Sequence, residues 1–397
     1  MNDERLRLHA TCDAGLEEVL QQELEAVGAH SCKRVPRGVS FRGNMTTLWR
    51  ANLESRIANR ILMEIGFFQA KTRDQLYAGV QSIPWSAWMT PYQSIAVDSR
   101  TSETPNLNQT MFINQVVKDG ICDQFRRNTN RRPNVARRNP DIPIMARING
   151  GRVIISLDAS GEWLHRRGYR THAGEAPLRE TLAAGLLALA QWRGDKPLVD
   201  PMCGSGTIVI EGALIARKIA PGLLRLRREE TFAFQRWRTF HERGFKRLVD
   251  SLHQRILPQC PVPIVGSDND TQVLKHARHN AGRAGVKEAV TFHHRSLQDA
   301  EPPGESGVLL TNPPYGERLG DIESLESLYK GLGDRLKQRF QNHTAFVIAG
   351  EPALVKRIGL RASRRHPVFN GAIECRLLKF ELYAGTRDKK KANTPSS

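Results

Sequence analysis

Apolar residues recur at helical spacing from Asp13 onward. Leu16, Val19, Leu20, Leu24 and Val27 share one face and Gly28 closes the run, so a helix is predicted there. Val39 and Phe41 then alternate with polar neighbours before Gly43, and a second helix is expected from Thr46. Ile61, Met63, Ile65 and Phe67 alternate as a half-buried strand does. Residues 1–68 therefore read as a small α+β domain with no catalytic group of note. The mixture repeats over 69–160, with a helix around Leu76 to Ile83, a strand at Ile95 and Val97, and a longer helix through Phe112, Val116, Ile121 and Phe125. Two alternating runs, 142–148 and 153–157, flank Asn149-Gly150, a pair suited to the positive φ angles of a tight hairpin turn.

The pattern changes after 161. Leu182, Leu186 and Leu189 mark a helix, and from Leu198 to about Leu382 short apolar strands alternate with helical stretches, the order of a doubly wound parallel sheet. The expected fold class is α/β, with one such domain over 161–385 behind the two α+β domains. Between its first two strands, 225–256 mixes arginines with Phe232, Phe234, Trp237, Phe240 and Phe245. The near-helical spacing of Trp237, Phe240, Phe245, Leu248, Leu252 and Ile256 favours a core role for the aromatics over base stacking, leaving some arginines for phosphates. Residues 386–397, with Lys389-Lys390-Lys391, read as a disordered basic tail.

A length of 397 residues suits two or three domains and excludes a single small binding module. Charge changes the picture most: 59 Lys and Arg against 41 Asp and Glu give a net +18, which favours a polyanionic partner such as nucleic acid. A membrane is not expected, since the longest apolar run, near 182–192, falls short of the roughly 20 residues a spanning helix needs. The start, Met1-Asn2-Asp3-Glu4-Arg5, has no hydrophobic leader, so the cytoplasm is the expected compartment. Six cysteines without a C-x-x-C pair argue against a disulfide framework and against a structural metal. The basic charge is concentrated at Arg126, Arg127, Arg131, Arg132, Arg137 and Arg138, on a Pro- and Asn-rich stretch that reads either as a phosphate-contacting loop or as a solvated one; the whole-chain charge favours the first. Arg166 and Arg167, in a segment resembling a linker at 165–170, are further candidates for RNA contact.

Three stretches carry chemistry. Leu198-Val199-Asp200-Pro201-Met202-Cys203-Gly204-Ser205-Gly206-Thr207 is a strand, a Gly-x-Gly turn and a helix start, which places a ligand at the carboxyl edge of a sheet. Gly204 and Gly206 allow close backbone approach, yet there is no Walker lysine, and Val209 stands where a dinucleotide fingerprint has glycine or alanine. An acid before the glycines repels a pyrophosphate and suits an ammonium, as in S-adenosylmethionine. A second strand ends at Asp268, a candidate for the ribose hydroxyls, with Asp270 placed as a helix cap. The third strand, 308–311, runs into Asn312-Pro313-Pro314-Tyr315-Gly316. An exocyclic base amine is a poor nucleophile because its lone pair is delocalised. Methylating it calls for acceptors on both amine hydrogens, here the Asn312 side chain and a prolyl carbonyl best assigned to Pro313, with Tyr315 stacking on an extruded base.

With these residues in hand, the chain resembles the RlmL-type 23S ribosomal RNA guanine-N2 methyltransferases over nearly its whole length. The likeness rests on Leu164-His165-Arg166-Arg167-Gly168-Tyr169-Arg170, Glu180-Thr181-Leu182-Ala183-Ala184, the 200–207 turn, Gly266-Ser267-Asp268 and Asn312 to Leu319. The resemblance implies a ferredoxin-like domain and a THUMP RNA-binding domain ahead of a Rossmann-like methyltransferase domain. It further implies cofactor contacts from Glu180, Thr181, Asp200, Gly204, Gly206 and Asp268, with 312–315 holding the target amine. The partner is then 23S rRNA or a large-subunit precursor, with no obligate protein partner. Two departures stand out. Where this fold often has an acid after the third strand for the adenine amine, the sequence reads His293-His294-Arg295-Ser296-Leu297, which makes Ser296 or a backbone group the candidate. A second methyltransferase half follows in some members but this sequence stops at Ser397, so only the guanine-N2 reaction is expected. The competing readings are a THUMP-containing tRNA guanine-N2 methyltransferase, a DNA adenine-N6 methyltransferase, which the THUMP-like front opposes, and a non-catalytic RNA-binding or assembly protein.

Overall fold

The computed structural model describes residues 6–170, 178–314 and 322–383. Its described residues fall into two compact units that do not follow chain order: Met1–Tyr169 with Glu180–Gly185 and Lys218–Ile256, and Arg170–Arg179 with Leu186–Arg217 and Leu257–Ser397. The tail expected at 386–397 lies outside the described residues.

The first unit is built on one eight-stranded sheet. Its elements are β1 (Leu6–Thr11), α1 (Glu17–Ala26), β2 (His30–Val35), β3 (Gly38–Gly43), α2 (Met45–Glu54), β4 (Arg60–Gln69), α3 (Arg73–Gln81), β5 (Ser94–Ser102), α4 (Thr110–Thr129), β6 (Asn134–Val135), β7 (Ile142–Asn149) and β8 (Arg152–Asp158). The strands stand in the order β2-β3-β1-β4-β8-β7-β5-β6. Leu16, Leu20 and Leu24 are buried as the helical spacing requires, and Asn44 caps α2 by accepting from the Thr47 N–H. The sheet crosses the 68/69 division read from the sequence: β4 pairs with β1 on one side and with β8 on the other, so both α+β halves share one ladder. The hairpin closes one residue later than expected. Asn149 pairs with Arg152, and the turn falls on Gly150 (φ +55°) and Gly151 (φ +80°), the two positive φ values that a two-residue turn of this hand needs.

The insertion at 218–256 is grouped with this same compact unit. The cause is aromatic packing. Phe234 and Phe245 lie against Trp49, with ring centroids 6.4 and 5.9 Å away, and Phe232 stacks on Phe234 at 5.3 Å. The core role expected for these aromatics is what the structure shows.

The second unit holds β9 (Leu198–Asp200), α6 (Thr207–Ala216), β10 (Ile264–Asp268), α9 (Thr271–Arg283), β11 (Thr291–His294), β12 (Val308–Thr311), α10 (Ile322–Arg339), β13 (Thr344–Ala349), α11 (Pro352–Arg357), β14 (Arg364–Asn370) and β15 (Ile373–Glu381); the remaining helices in chain order are α5 (Glu180–Leu189), α7 (Pro221–Leu226) and α8 (Glu242–Gln254). The sheet order is β11-β10-β9-β12-β13-β15-β14. The first five strands are parallel, while β15 runs antiparallel to β13 and β14 antiparallel to β15. Apolar residues on β9 and β12 are buried on both faces, as central parallel strands are. One side is filled by Leu309, Val347 and Leu378 with Tyr329, Leu332, Leu336 and Phe340 of α10. The chain moves from β9 outward through β10 and β11, then returns past its start with β12. The resulting switch point between β9 and β12 opens a crevice at their carboxyl ends. Among the described residues no helix is long and apolar enough to cross a membrane.

Candidate active site

Asp200 ends β9 and Asn312 follows β12, so the two motifs read from the sequence meet at the switch point. Leu309 pairs with Val199, which brings Thr311 alongside the Asp200 carboxylate: the Thr311 hydroxyl donates to Asp200 Oδ1 at 2.7 Å, and the Met202 N–H donates to the same oxygen at 3.2 Å. Asp200 is buried. Burial pushes its carboxyl up to about 7, the nearby Asp268 charge adds to the rise, and the two hydrogen bonds oppose it. A buried carboxyl poised this way gains most from a ligand cation placed beside it.

The turn after β9 is held by its backbone. The Cys203 N–H donates to the Ser267 carbonyl at 2.9 Å and the Gly206 N–H to the Cys203 carbonyl at 2.8 Å. Asp268, at the end of β10, accepts from the Gly204 N–H at 2.9 Å through Oδ2 and from the Asp270 N–H at 3.1 Å through Oδ1. A carboxylate has about four acceptor sites, so lone pairs remain for ligand hydroxyls. Gly204 (φ +53°) and Gly206 (φ +84°) differ in surroundings. A Cβ on Gly206 would crowd Ala277 at 3.2 Å, whereas a Cβ on Gly204 would meet nothing within 4 Å, so the turn presents bare backbone to open space. Cys203 is no nucleophile: burial, with Asp200 and Asp268 nearby, pushes its thiol well up. Asp270 does what a helix cap does, accepting from the Gln272 and Val273 N–H groups at 2.7 and 3.2 Å.

The Asn312 side chain departs from this pattern. Its Oδ1 is buried and has no hydrogen-bond partner among the described residues, a costly arrangement unless something supplies a donor. Two residues later the Pro314 carbonyl accepts from the buried Tyr329 hydroxyl of α10 at 3.3 Å, which fixes the end of the Asn-Pro-Pro turn. Pro313 is buried between them. Tyr315 lies outside the described residues.

The other cofactor candidates have partners of their own. Ser296 follows β11 and its hydroxyl donates to Asp299 at 2.6 Å. Glu180 and Thr181 open α5 in the part grouped with the first unit; both are buried, and the Thr181 hydroxyl donates to Asn59 Oδ1 at 2.8 Å. Thr311 and Tyr329 are site residues the sequence reading missed. A lone threonine closing an otherwise aliphatic strand beside the Asp200 strand was the available signal for the first; Tyr329 sits at core spacing with Leu325, Leu332 and Leu336, where nothing sets its hydroxyl apart.

Of the candidate RNA-contacting residues, Arg126, Arg127, Arg131, Arg132, Arg137, Arg138 and Arg166 are exposed. Arg167 is a correction. It is 3% exposed, and its guanidinium donates to the Leu164 and Arg56 carbonyls, at 2.7 and 2.5 Å, so it organises the chain at 164–170 from inside and offers no face to a phosphate. Tyr169 of the same segment is buried as well. All six cysteines are free, and among the described residues no cluster of His, Cys, Asp and Glu could hold a metal.

Comparison with known proteins bears on the same stretches. Family profiles match residues 7–62 as an RlmL ferredoxin-like domain, 70–158 as a THUMP domain and 167–379 as an RMKL-like methyltransferase domain. The chain is 42% identical over 381 residues to "Ribosomal RNA large subunit methyltransferase K/L" of Methylococcus capsulatus, covering 94% of this chain and 51% of that protein, so it spans about half the length of that relative. It is 41% identical to "Putative RNA methyltransferase slr0064" of Synechocystis, covering 94% of this chain and 96% of that one. Among solved structures, "SMU.472, a putative methyltransferase complexed with SAH" superposes with a TM-score of 0.87 at 29% identity, covering 97% of this chain and all of that one. The crevice between β9 and β12, the two domain types ahead of it and a full-length relative agree: the chain belongs to the RMKL-like methyltransferase family, with an RlmL ferredoxin-like and a THUMP domain in front.

Proposed function

We propose that the chain transfers a methyl group from S-adenosylmethionine to the exocyclic N2 amine of a guanine in 23S ribosomal RNA, in the cytoplasm. The observation that carries the reading is the buried, unpartnered Oδ1 of Asn312, an acceptor waiting for a donor one strand away from Asp200. The printed names of relatives such as the K/L enzyme of Methylococcus support large-subunit rRNA as the substrate class.

The site's residues fit the cofactor: open space over Gly204 leaves room against bare backbone, and Asp200 is a carboxyl that a cation would ionise. When bound, S-adenosylmethionine supplies a methyl group made electrophilic by its sulfonium. Asp200 would hold the amino-acid end, Gly204 and Gly206 the close backbone approach, Asp268 the ribose hydroxyls through its remaining lone pairs, and Ser296 the adenine side. Glu180 and Thr181 are assigned to the cofactor on family resemblance alone. Asn312 Oδ1 accepts one amine hydrogen of the guanine and the Pro313 carbonyl the other, which aims the lone pair and fixes the amine's approach, the main source of rate in such a displacement. Pro313 and Pro314 keep that turn from relaxing, and Tyr315 stacks on the extruded base. The region over 1–68 and 69–160, with its exposed arginines, would deliver the RNA to a catalytic domain over 161–385.

The test is transfer of labelled methyl from S-adenosylmethionine to unmodified 23S rRNA and, separately, to unmodified tRNA, followed by nucleoside analysis. N2-methylguanosine in 23S rRNA is the expected product. Label in tRNA alone would assign a tRNA enzyme, N6-methyladenosine would overturn the base assignment, and no label in either RNA would count against the catalytic reading.

A further inference from the structure

A cavity of about 400 Å3 opens beside α11, and its walls carry Lys356, Arg365, Arg376 and one acid, Glu374, over an apolar floor of Val355 and Leu378. Strand register explains the convergence. Arg365 pairs with Leu378, Pro367 with Arg376 and Phe369 with Glu374, so positions 365, 374 and 376 project from one face of the β14–β15 hairpin. Cations nearby are neutralised: Arg357 holds Glu326 at 2.7 Å and Lys379 holds Glu381 at 3.1 Å. The three cavity cations differ. Among the described residues none of Lys356, Arg365 and Arg376 has an ion-pair partner, nor has Glu374, and three cations against one acid leave two positive charges facing a concave space.

Place in the sheet says what such a cavity serves. Thr311 of β12 pairs with Val347 of β13, and Ala349, two residues further along β13, pairs with Arg376 of β15. Arg376 thus stands at the same carboxyl edge as Asn312 and two strands away, about 10 Å at ordinary strand spacing. We infer that this cavity is a phosphate site, in which Lys356, Arg365 and Arg376 hold a backbone phosphate next to the extruded target nucleotide of the RNA. The inference rests on the reading of the chain as an RNA methyltransferase and adds a substrate contact within the catalytic unit itself. Guanidinium forks match phosphate oxygens in pairs, and a phosphate anchored here fixes where the strand enters the crevice, so that Asn312 meets one nucleotide and not its neighbours.

The experiment compares the full chain with the double variant Arg365→Ala/Arg376→Ala. Binding of an unmodified 23S rRNA transcript is titrated across a series of KCl concentrations, binding of S-adenosylmethionine is measured by calorimetry, and KM and kcat for methyl transfer are determined. The expected outcome is RNA affinity weakened about ten- to a hundredfold and a slope of log K against log salt shallower by about 0.7 to 0.9, the contribution of the single phosphate contact that is lost. KM for RNA rises in step, while kcat at saturating RNA and cofactor affinity stay within about twofold. The Arg365→Lys/Arg376→Lys variant, which keeps charge and loses the forks, recovers most of the salt slope; this separates charge from packing. Unchanged RNA affinity and slope in the alanine variant, with wild-type binding and transfer intact, overturn the cavity's role alone. Guanosine monophosphate binding is measured alongside, and its loss in the alanine variant with an unchanged RNA slope overturns the inference in favour of a free-nucleotide site. If the wild-type chain binds no RNA, the substrate reading falls and this inference with it.

Discussion

The crevice between β9 and β12 and the arginine-bearing surface of the first unit are assigned to one reaction, yet they are built by opposite rules. In the crevice a few polar atoms are placed one by one. Asp200 takes two hydrogen bonds through one oxygen, Asp268 takes the Gly204 and Asp270 N–H groups, and Asn312 Oδ1 is kept empty. On the surface, Arg126 leans on Asp123 at 2.9 Å, Arg127 donates to Gln81 at 2.7 Å, and Arg131 lies over the Tyr92 ring at 5.0 Å, all in solvent where each contact contributes little. A site that must hold both hydrogens of one amine concentrates its specificity in single atoms. A surface that must hold a polyanion spreads the work over many replaceable charges.

The contrast is tested hardest at Asn312. Replacing it with alanine is expected to lower methyl transfer on the order of 10²- to 10³-fold, about 3 to 4 kcal/mol if losing this polar contact in the transition state costs what losing an oxyanion-hole donor does. Cofactor affinity and RNA salt dependence should stay as in the wild type. Were Arg131→Ala to cost as much transfer as Asn312→Ala, the division between concentrated and distributed roles would collapse. Arg167 sharpens it next. Because its guanidinium satisfies the buried Leu164 and Arg56 carbonyls, Arg167→Ala should destabilise the fold by about 2 to 4 kcal/mol in denaturant unfolding, whereas Arg132→Ala, exposed on the loop, should stay within about 0.5 kcal/mol. An Arg167→Ala protein that unfolds with the wild type but binds RNA with a shallower salt slope would return Arg167 to the RNA surface.

Arg167 also marks where sequence stops being legible. The pattern at 165–170 is a basic run, and a basic run says nothing about which of its members turns inward; only the carbonyls of Leu164 and Arg56, one of them 111 residues away in the chain, decide that. The same limit applies to 218–256. Periodicity revealed that Phe234 and Phe245 were core residues, but not that their core was shared with Trp49 and so belonged to the first unit. Strand ends in the catalytic unit were legible for the converse reason. Asp200, the glycine turn, Asp268 and Asn312 each occupy a position that local chain geometry dictates, at the exit of a short apolar strand, and parallel register then carries them to one edge without any long-range information beyond strand order. Thr311 fell between the two cases: its place was local, but its partner was on another strand.

Thr311 therefore provides the finest comparison, because it alters the crevice without removing a group assigned to cofactor or substrate. Its hydroxyl donates to Asp200 and stabilises the ionised carboxylate, working against the burial that pushes the carboxyl up to about 7. A cationic ligand binds the ionised form, so cofactor affinity should be flat above pH 7 and fall by up to about tenfold per pH unit below it. Thr311→Val removes the donor and keeps much of the shape. With a hydrogen bond to a charged group worth ~1.5 kcal/mol, the break in affinity should move up by about one pH unit. Stability carries the same sign. The folded carboxyl titrates near 7 and the unfolded one near its ordinary 3.8, so between those values the folded state holds a proton that the unfolded state has released. This group's contribution to stability is therefore greatest at the acid end and declines as pH rises through that window. In the valine variant the decline should continue past pH 7. Asp200→Asn should abolish both dependences, and a break that stays in place in Thr311→Val, or moves to lower pH, would mean that a different group senses the cofactor's charge.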